Sequence, residues 1–177
     1  NIPVFTATNA SITPITANIT VTPNYLNAGV SCQGLPKTFV ITVNPTPTVT
    51  QPTNQVVCNG SPTTLVILSG SLVTGTNYSW TNNNTSIGLA ANGTGNIPSF
   101  IATNSTSSPV IATITLTPNA NGCNGITSNF SITVNPAASV QFSSSNQTIC
   151  SGGQTSAISL SFTTSGVNIS WVCIAPA

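Results

Sequence analysis

Charge is what this chain almost lacks. Among 177 residues there is one Lys or Arg, Lys37, and no Asp, Glu or His. An ordinary soluble domain is about 25% charged, so the deficit excludes whole classes of function. General acid–base catalysis needs a group that titrates near the working pH. A Ser, Thr or Cys nucleophile needs a base beside it, and no carboxylate or imidazole side chain exists to serve. Hard cations want carboxylate oxygens, catalytic zinc wants His or Glu, and a phosphate backbone wants rows of Lys and Arg. The expectation is therefore a protein that is not an enzyme, with no catalytic residue, no metal site, no cofactor and no nucleic-acid partner.

Long apolar runs are missing too. None approaches the roughly 18 residues of a membrane-spanning helix, so direct membrane insertion is not expected. No signal peptide is visible. The chain opens in mid-pattern, as a mature or excised piece of something longer would. No stretch carries a helical period.

What is present is an apolar content of 39%, enough for a core, with Asn, Thr and Ser at the polar positions that Lys and Glu usually take. Such a surface is nearly indifferent to ionic strength, because screening acts on charges. It also lacks the repulsion that keeps free proteins apart, which a tethered or assembled protein tolerates better than a concentrated cytosolic one.

Self-similarity is the strongest pattern. ITVNPTPTV at 41–49 returns as ITVNPAASV at 132–140, NITVTPN at 18–24 as TITLTPN at 113–119, and NQVVCNG at 54–60 as NQTICSG at 146–152. Cys32-Gln-Gly matches Cys123-Asn-Gly, and YSW at 78–80 matches ISW at 169–171. The offset is 91 or 92 for most pairs and 95 for the earliest, the difference lying in a longer loop, YLNAGVSC against ANGC. Fixed-period repetition is the signature of an array. The expected organisation is a complete unit at 46–136, the C-terminal half of a preceding unit at 1–45 and the N-terminal half of a following unit at 137–177. Two explanations fit: a window on a long tandem array, or half-units that complement one another head to tail between molecules, as in strand donation.

Within a unit, alternation of period two marks strands. Val110, Ala112, Ile114 and Leu116 share one face; Phe130, Ile132 and Val134 repeat the device, and Phe39, Ile41 and Val43 echo it. The denser run Thr63–Leu68 reads as a central strand. Asn-Gly and Asn-Pro pairs (Asn92-Gly93, Asn121-Gly122, Asn124-Gly125, Asn44-Pro45) mark turns. The fold class predicted is all-β: tandem antiparallel β-sandwich units of immunoglobulin-like type. Trp80 and Trp171, at one repeat position, are expected to anchor cores rather than to form a sugar platform. The near-absence of a linker around Pro45 and Pro47 favours a stiff rod.

Five cysteines without metal-site spacing point to disulfides and an oxidising, extracytoplasmic setting. Cys58 and Cys123 are the only two in the complete unit and form the default pair, although they could lie at opposite ends of a plain sandwich unless the first strand is short or irregular. Cys32 and Cys150 occupy the equivalent positions in the flanking halves without their own-unit partners, so they either stay free or pair with another molecule. Cys173 stands where the repeat has Asn82, and Cys150 is one partner it could take.

Other features read more plainly. Lys37 cannot form an isopeptide cross-link without a carboxylic acid and is expected to be a solvated surface residue. Asn82, Asn83 and Asn84, in TNNNTS, could contact a glycan or carry one, against a simpler reading as a turn whose side chains bond the backbone. Asn-x-Ser/Thr triplets at Asn77, Asn92, Asn104 and Asn129 arise readily in so Asn/Thr-rich a chain. The Thr-rich strands lack the flat regular array of an ice-binding face.

Together, TPTVTQPTNQVVCNGSPTTLVILSG, NYSWTNNNTSIGLAANGTGNIPSF, ATITLTPNANGCNG and FSITVNP resemble the PKD-like repeats of giant Bacteroidota surface proteins, such as the SprB-like gliding-motility adhesins. The resemblance spans essentially the whole chain. It implies tandem PKD-like, immunoglobulin-like sandwiches, export to the cell surface by type 9 secretion, and a role in adhesion or surface filaments. The acidic residues with which some PKD modules bind calcium are missing here, and no secretion-directing C-terminal domain is visible. The expected function is a structural segment of a long extracellular adhesin or filament, whose partners are neighbouring repeats or identical subunits. The alternatives are a module binding surface polysaccharide and a subunit that polymerises through its half-units.

Overall fold

A computed structural model describes residues 2–143 and 146–174. The β-branched, alternating stretches form strands: β1 Ile15–Val21, β2 Asn24–Asn27, β3 Val30–Gln33, β4 Lys37–Val43, β5 Gln55–Cys58, β6 Asn77–Asn82, β7 Asn92–Thr94, β8 Val110–Ala120, β9 Cys123–Asn124, β10 Ser128–Asn135, β11 Val140–Phe142 and β12 Leu160–Phe162. The protein is all-β, and its one helical turn among the described residues is a 3-10 turn at Thr85–Ile87.

The centre of the chain holds one sheet in the order β5-β10-β8-β6-β7, with β9 extending the end of β8. Period two does its work here. On β8, Ala112, Ile114 and Leu116 are fully buried while Ile111, on the opposite face of the strand, is exposed. Ile114 lies opposite Phe130 and Ala112 opposite Ile132 on β10, and Leu116 lies opposite Trp80 on β6. These residues and Val134 make the inner face of the sheet.

A second, irregular layer covers that face. It brings Val66, Leu68, Ile87, Leu89, Ile97 and Ala102 into the same core. The run Thr63–Leu68, read as a central strand, belongs to this layer. It is extended, with Val66 and Leu68 buried and Leu65 and Ile67 exposed, yet its ladder contacts are single bridges, Pro62 to Ile101 and Val66 to Ile97. Between the bridges the Thr64 N–H and carbonyl are both taken by the Gln55 side chain, and Pro98 has no N–H to give, so the bridges do not join into a continuous ladder. Half of its apolar side chains face outward, which a central strand would not allow.

The pairing is antiparallel throughout the sheet except at one seam: β5 runs parallel to β10, Gln55 to Cys58 matching Ile132 to Asn135. The segment before β5 holds β10 by side chains instead of a backbone ladder. The Gln51 amide donates to the Asn129 carbonyl at 2.7 Å, and Asn54 Oδ1 accepts from the Ser131 N–H at 2.8 Å. Because first and last strands run the same way, the chain arrives at one end of the sheet and leaves at the other.

The flanking stretches form smaller sheets. β1 pairs with β4 and sets Ile19 opposite Phe39, β2 pairs with β3, and β11 pairs with β12. Local details recur at repeat-equivalent positions. Gln55 clamps Thr64 through both its amide atoms, and Gln147 clamps Ser156 in the same way. The Gly125 N–H donates to the Pro118 carbonyl and the Gly34 N–H to the Pro23 carbonyl. Burial does not recur. Phe130 is 2% exposed and Phe39 42%, because among the described residues β4 pairs only with β1 in a two-stranded sheet.

Candidate interface at the two ends of the central sheet

The end where the chain arrives is built on prolines. Pro45, Pro47 and Pro118 are buried. The Pro47 carbonyl lies against the Cα of Gly125, where any Cβ would collide with it. Asn44, just beyond β4, donates through its side-chain amide to the Asn121 carbonyl at 2.8 Å. Asn121 and Gly122 form the two-residue turn between β8 and β9, with φ of 51° and 78°. These left-handed values are the ones Asn and Gly accept with least cost. Cys123 follows at once and is half-buried.

The far end is built on asparagines. The Asn59 N–H donates to the Asn135 carbonyl, the Gly60 N–H to the Ala102 carbonyl and the Ser61 N–H to the Cys58 carbonyl. Asn104 is the centre of this cap and is buried. Its amide donates to the Ser108 and Val134 carbonyls, both at 2.8 Å. Its Oδ1 accepts from the Thr106 N–H at 2.8 Å and the Thr106 hydroxyl at 2.7 Å. Its own N–H donates to Asn59 Oδ1 at 2.8 Å. A side-chain amide has two donors and one oxygen, and here all are used, which makes the residue tolerable in a dry place. Asn9 makes the corresponding bonds to Thr13, Val43 and Ser11. In the sequence Asn104 stands out only as the start of an Asn-x-Ser/Thr triplet. The recurrence of Asn-x-Ser/Thr-x-Thr/Ser at 9–13 and 104–108 was the signal that a loop-closing role was there to find.

The expected disulfide between Cys58 and Cys123 is not formed, and both thiols are free. Cys58 ends β5 beside Asn135, whereas Cys123 faces Ala120 at the opposite limit of β8. At about 3.3 Å per residue the two ends are roughly 35 Å apart along β8, and a disulfide needs Cα atoms within about 7 Å. β5 is short, as that pairing required, but it runs the wrong way to bring the two together. Cys32, Cys150 and Cys173 are free and exposed.

The two tryptophans part company as well. Trp80 is 5% exposed and belongs to the core, with its indole N–H buried and unpartnered. Trp171, expected to anchor a core, is 84% exposed. Trp80 is covered because β7 and β8 flank it, and among the described residues no strand pairs beside Trp171.

The asparagine cluster is spent on the fold. The buried Asn82 amide donates to the Leu89 and Ala90 carbonyls, and its oxygen accepts from the Asn84 N–H. Asn83 Oδ1 accepts from the Thr113 N–H, and Asn84 Oδ1 caps the 3-10 turn by accepting from Ser86. Lys37 is exposed at the start of β4, opposite Val21. With no side-chain charge at either end, whatever these surfaces meet must be held by shape, hydrogen bonds or covalent chemistry. No family model matches the chain, and no curated protein matches it.

Proposed function

We propose that this chain is a structural segment of a long extracellular adhesin or surface filament, composed of immunoglobulin-like, PKD-like units about 91 residues long that follow one another head to tail. Its work is to hold and to space rather than to transform. The observation that carries this reading is the parallel seam of β5 and β10: a unit whose chain arrives at one end and leaves at the other stacks into a rod. Buried prolines at the junction support a stiff connection, since Pro fixes φ and cannot swivel freely. A nearly uncharged surface suits a wet exterior of changing ionic strength. The family resemblance of the repeated phrases supports the cell surface as its location, with type 9 secretion as the route there.

Two measurements on the full chain test this. Small-angle scattering should give an extended profile, and a glycan array spanning bacterial and algal polysaccharides should stay silent. A compact profile, or saturable micromolar binding to one polysaccharide, would replace this reading with that of a sugar-binding module.

A further inference from the structure

We propose that disulfides bridge consecutive units, joining the cysteine that ends β5 in one unit to the β9 cysteine of the unit that follows. The inference rests on the head-to-tail reading above. Its starting point is the misfit that defeats a bond inside the unit: Cys58 lies at the end where the chain leaves, and Cys123 at the end where it arrives. In a stack of such units, the leaving end of one faces the arriving end of the next, so the two cysteine positions converge at every junction.

Asn135 and its repeat equivalent Asn44 supply the link between these positions. Asn135 is the register partner of Cys58, and its carbonyl accepts from the Asn59 N–H. Asn44 stands at the same place at the end of β4, and its side chain crosses the junction to the Asn121 carbonyl, two residues before Cys123. One asparagine therefore sits beside the β5 cysteine within its own unit and against the turn that carries the β9 cysteine of the next. Neither thiol is buried, so an oxidant can reach both. The same rule accounts for the free thiols here. Cys58 and Cys150 would take partners beyond residue 177, and Cys32 and Cys123 partners before residue 1, so no pair allowed by the rule falls within this sequence. Cys173 takes no part.

The chemistry needs an oxidant, and a small-molecule disulfide suffices. One thiolate attacks glutathione disulfide and releases one glutathione; the second thiolate then attacks the mixed disulfide and releases the other. The two protein thiols together lose two electrons and two protons, and the glutathione disulfide becomes two thiols.

The test extends the full chain at its C terminus with a second copy of residues 87–136, since Ala177 corresponds to Ser86. This completes the second unit and adds a second copy of Cys123. After equilibration in a glutathione redox buffer, peptide mapping should find Cys58 joined to the added copy of Cys123 in most molecules. Cys58→Ser should abolish the link, and Cys123→Ser at the original position should leave it intact. Mapping that finds Cys58 joined to Cys123, or Cys150 joined to the added copy, would overturn the proposal in favour of bonds within units. Persistence of all thiols would overturn it too. Acrylamide quenching of Trp171, read on the same protein, separates the two layers of the argument. If Trp171 becomes shielded while the link is absent, the added residues complete a second unit, as Trp80 is covered within the first, and the disulfide idea fails alone. If Trp171 stays open to the quencher, residues 137–177 with the added copy do not form a second unit, and the reading of consecutive units fails and takes the junction bond with it.

Discussion

Gly93 lies directly across from Trp80 in the β6–β7 register, and a Cβ at residue 93 would run into the indole ring. The Asn92-Gly93 pair, read as a turn, is in fact the start of a strand whose glycine makes room for the largest side chain of the core. Gly93→Ala is expected to destabilise the central sheet by about 1–3 kcal/mol through overpacking, measured by urea unfolding followed by fluorescence. Adding Trp80→Leu should give back part of that loss, because contacting sites are not additive. Additive effects would show that the ring is not what excludes the methyl.

Asn104→Ala should cost about 2–4 kcal/mol, since it strands two carbonyls and one N–H at the far end of the sheet, each a group expensive to leave unmet. Asn104→Asp should be no gentler despite its matching shape. An ionised carboxylate only accepts, while the Ser108 and Val134 carbonyls need donors. Thermal unfolding of the two variants measures this, and a silent Asn104→Asp would refute the assigned bonds.

The turns at 28–29 and 121–122 offer a paired test. Ala28 holds φ 47° where Asn121 holds φ 51°. A non-glycine residue in the left-handed region pays about 1–2 kcal/mol, and Asn pays less than Ala. Asn121→Ala should therefore lower stability by roughly 1 kcal/mol, and Ala28→Asn should raise protection of the Val30 amide from hydrogen exchange. No change in either would remove the backbone argument.

Stability should barely respond to acid or salt. Stability depends on pH only where folded and unfolded states bind different numbers of protons. Apart from the chain termini, no carboxylate or imidazole exists to titrate between about pH 2 and 7. Melting temperatures at pH 3 and pH 7, and in dilute or concentrated NaCl, should agree within about 2 °C. A steep acid transition would contradict this.

Much of the sheet was legible from residue order. Alternation at 110–116 and 130–134 gave the strands and their buried faces because burial on one side of a pleat imposes period two and little else does. The covering layer was harder to read. TTLVIL is as β-branched as any strand, and the reason it is not a ladder lies in Pro98, in the Gln55 side chain that takes both backbone groups of Thr64, and in partners far along the chain. The Cys58–Cys123 pairing failed for a related reason. Counting cysteines says nothing about direction, and the direction of β5 was visible only once its hydrogen bonds to β10 were known. Trp171 was assigned by its equivalence to Trp80, but a side chain is buried by what covers it, and sequence position does not provide the cover. Asn104 is inconspicuous in the sequence because its value lies in a closed set of hydrogen bonds, which composition hides among many similar asparagines.

The parallel seam between β5 and β10 has one more consequence. If the two ends of the sheet are pulled apart, β5 and β10 are drawn past each other along their length. The bonds of Gln55–Cys58 against Ile132–Asn135, with the Gln51 and Asn54 side-chain contacts, are then loaded together in shear instead of opening one by one like a zip. The strands that first and last leave the unit thus form its clasp against tension.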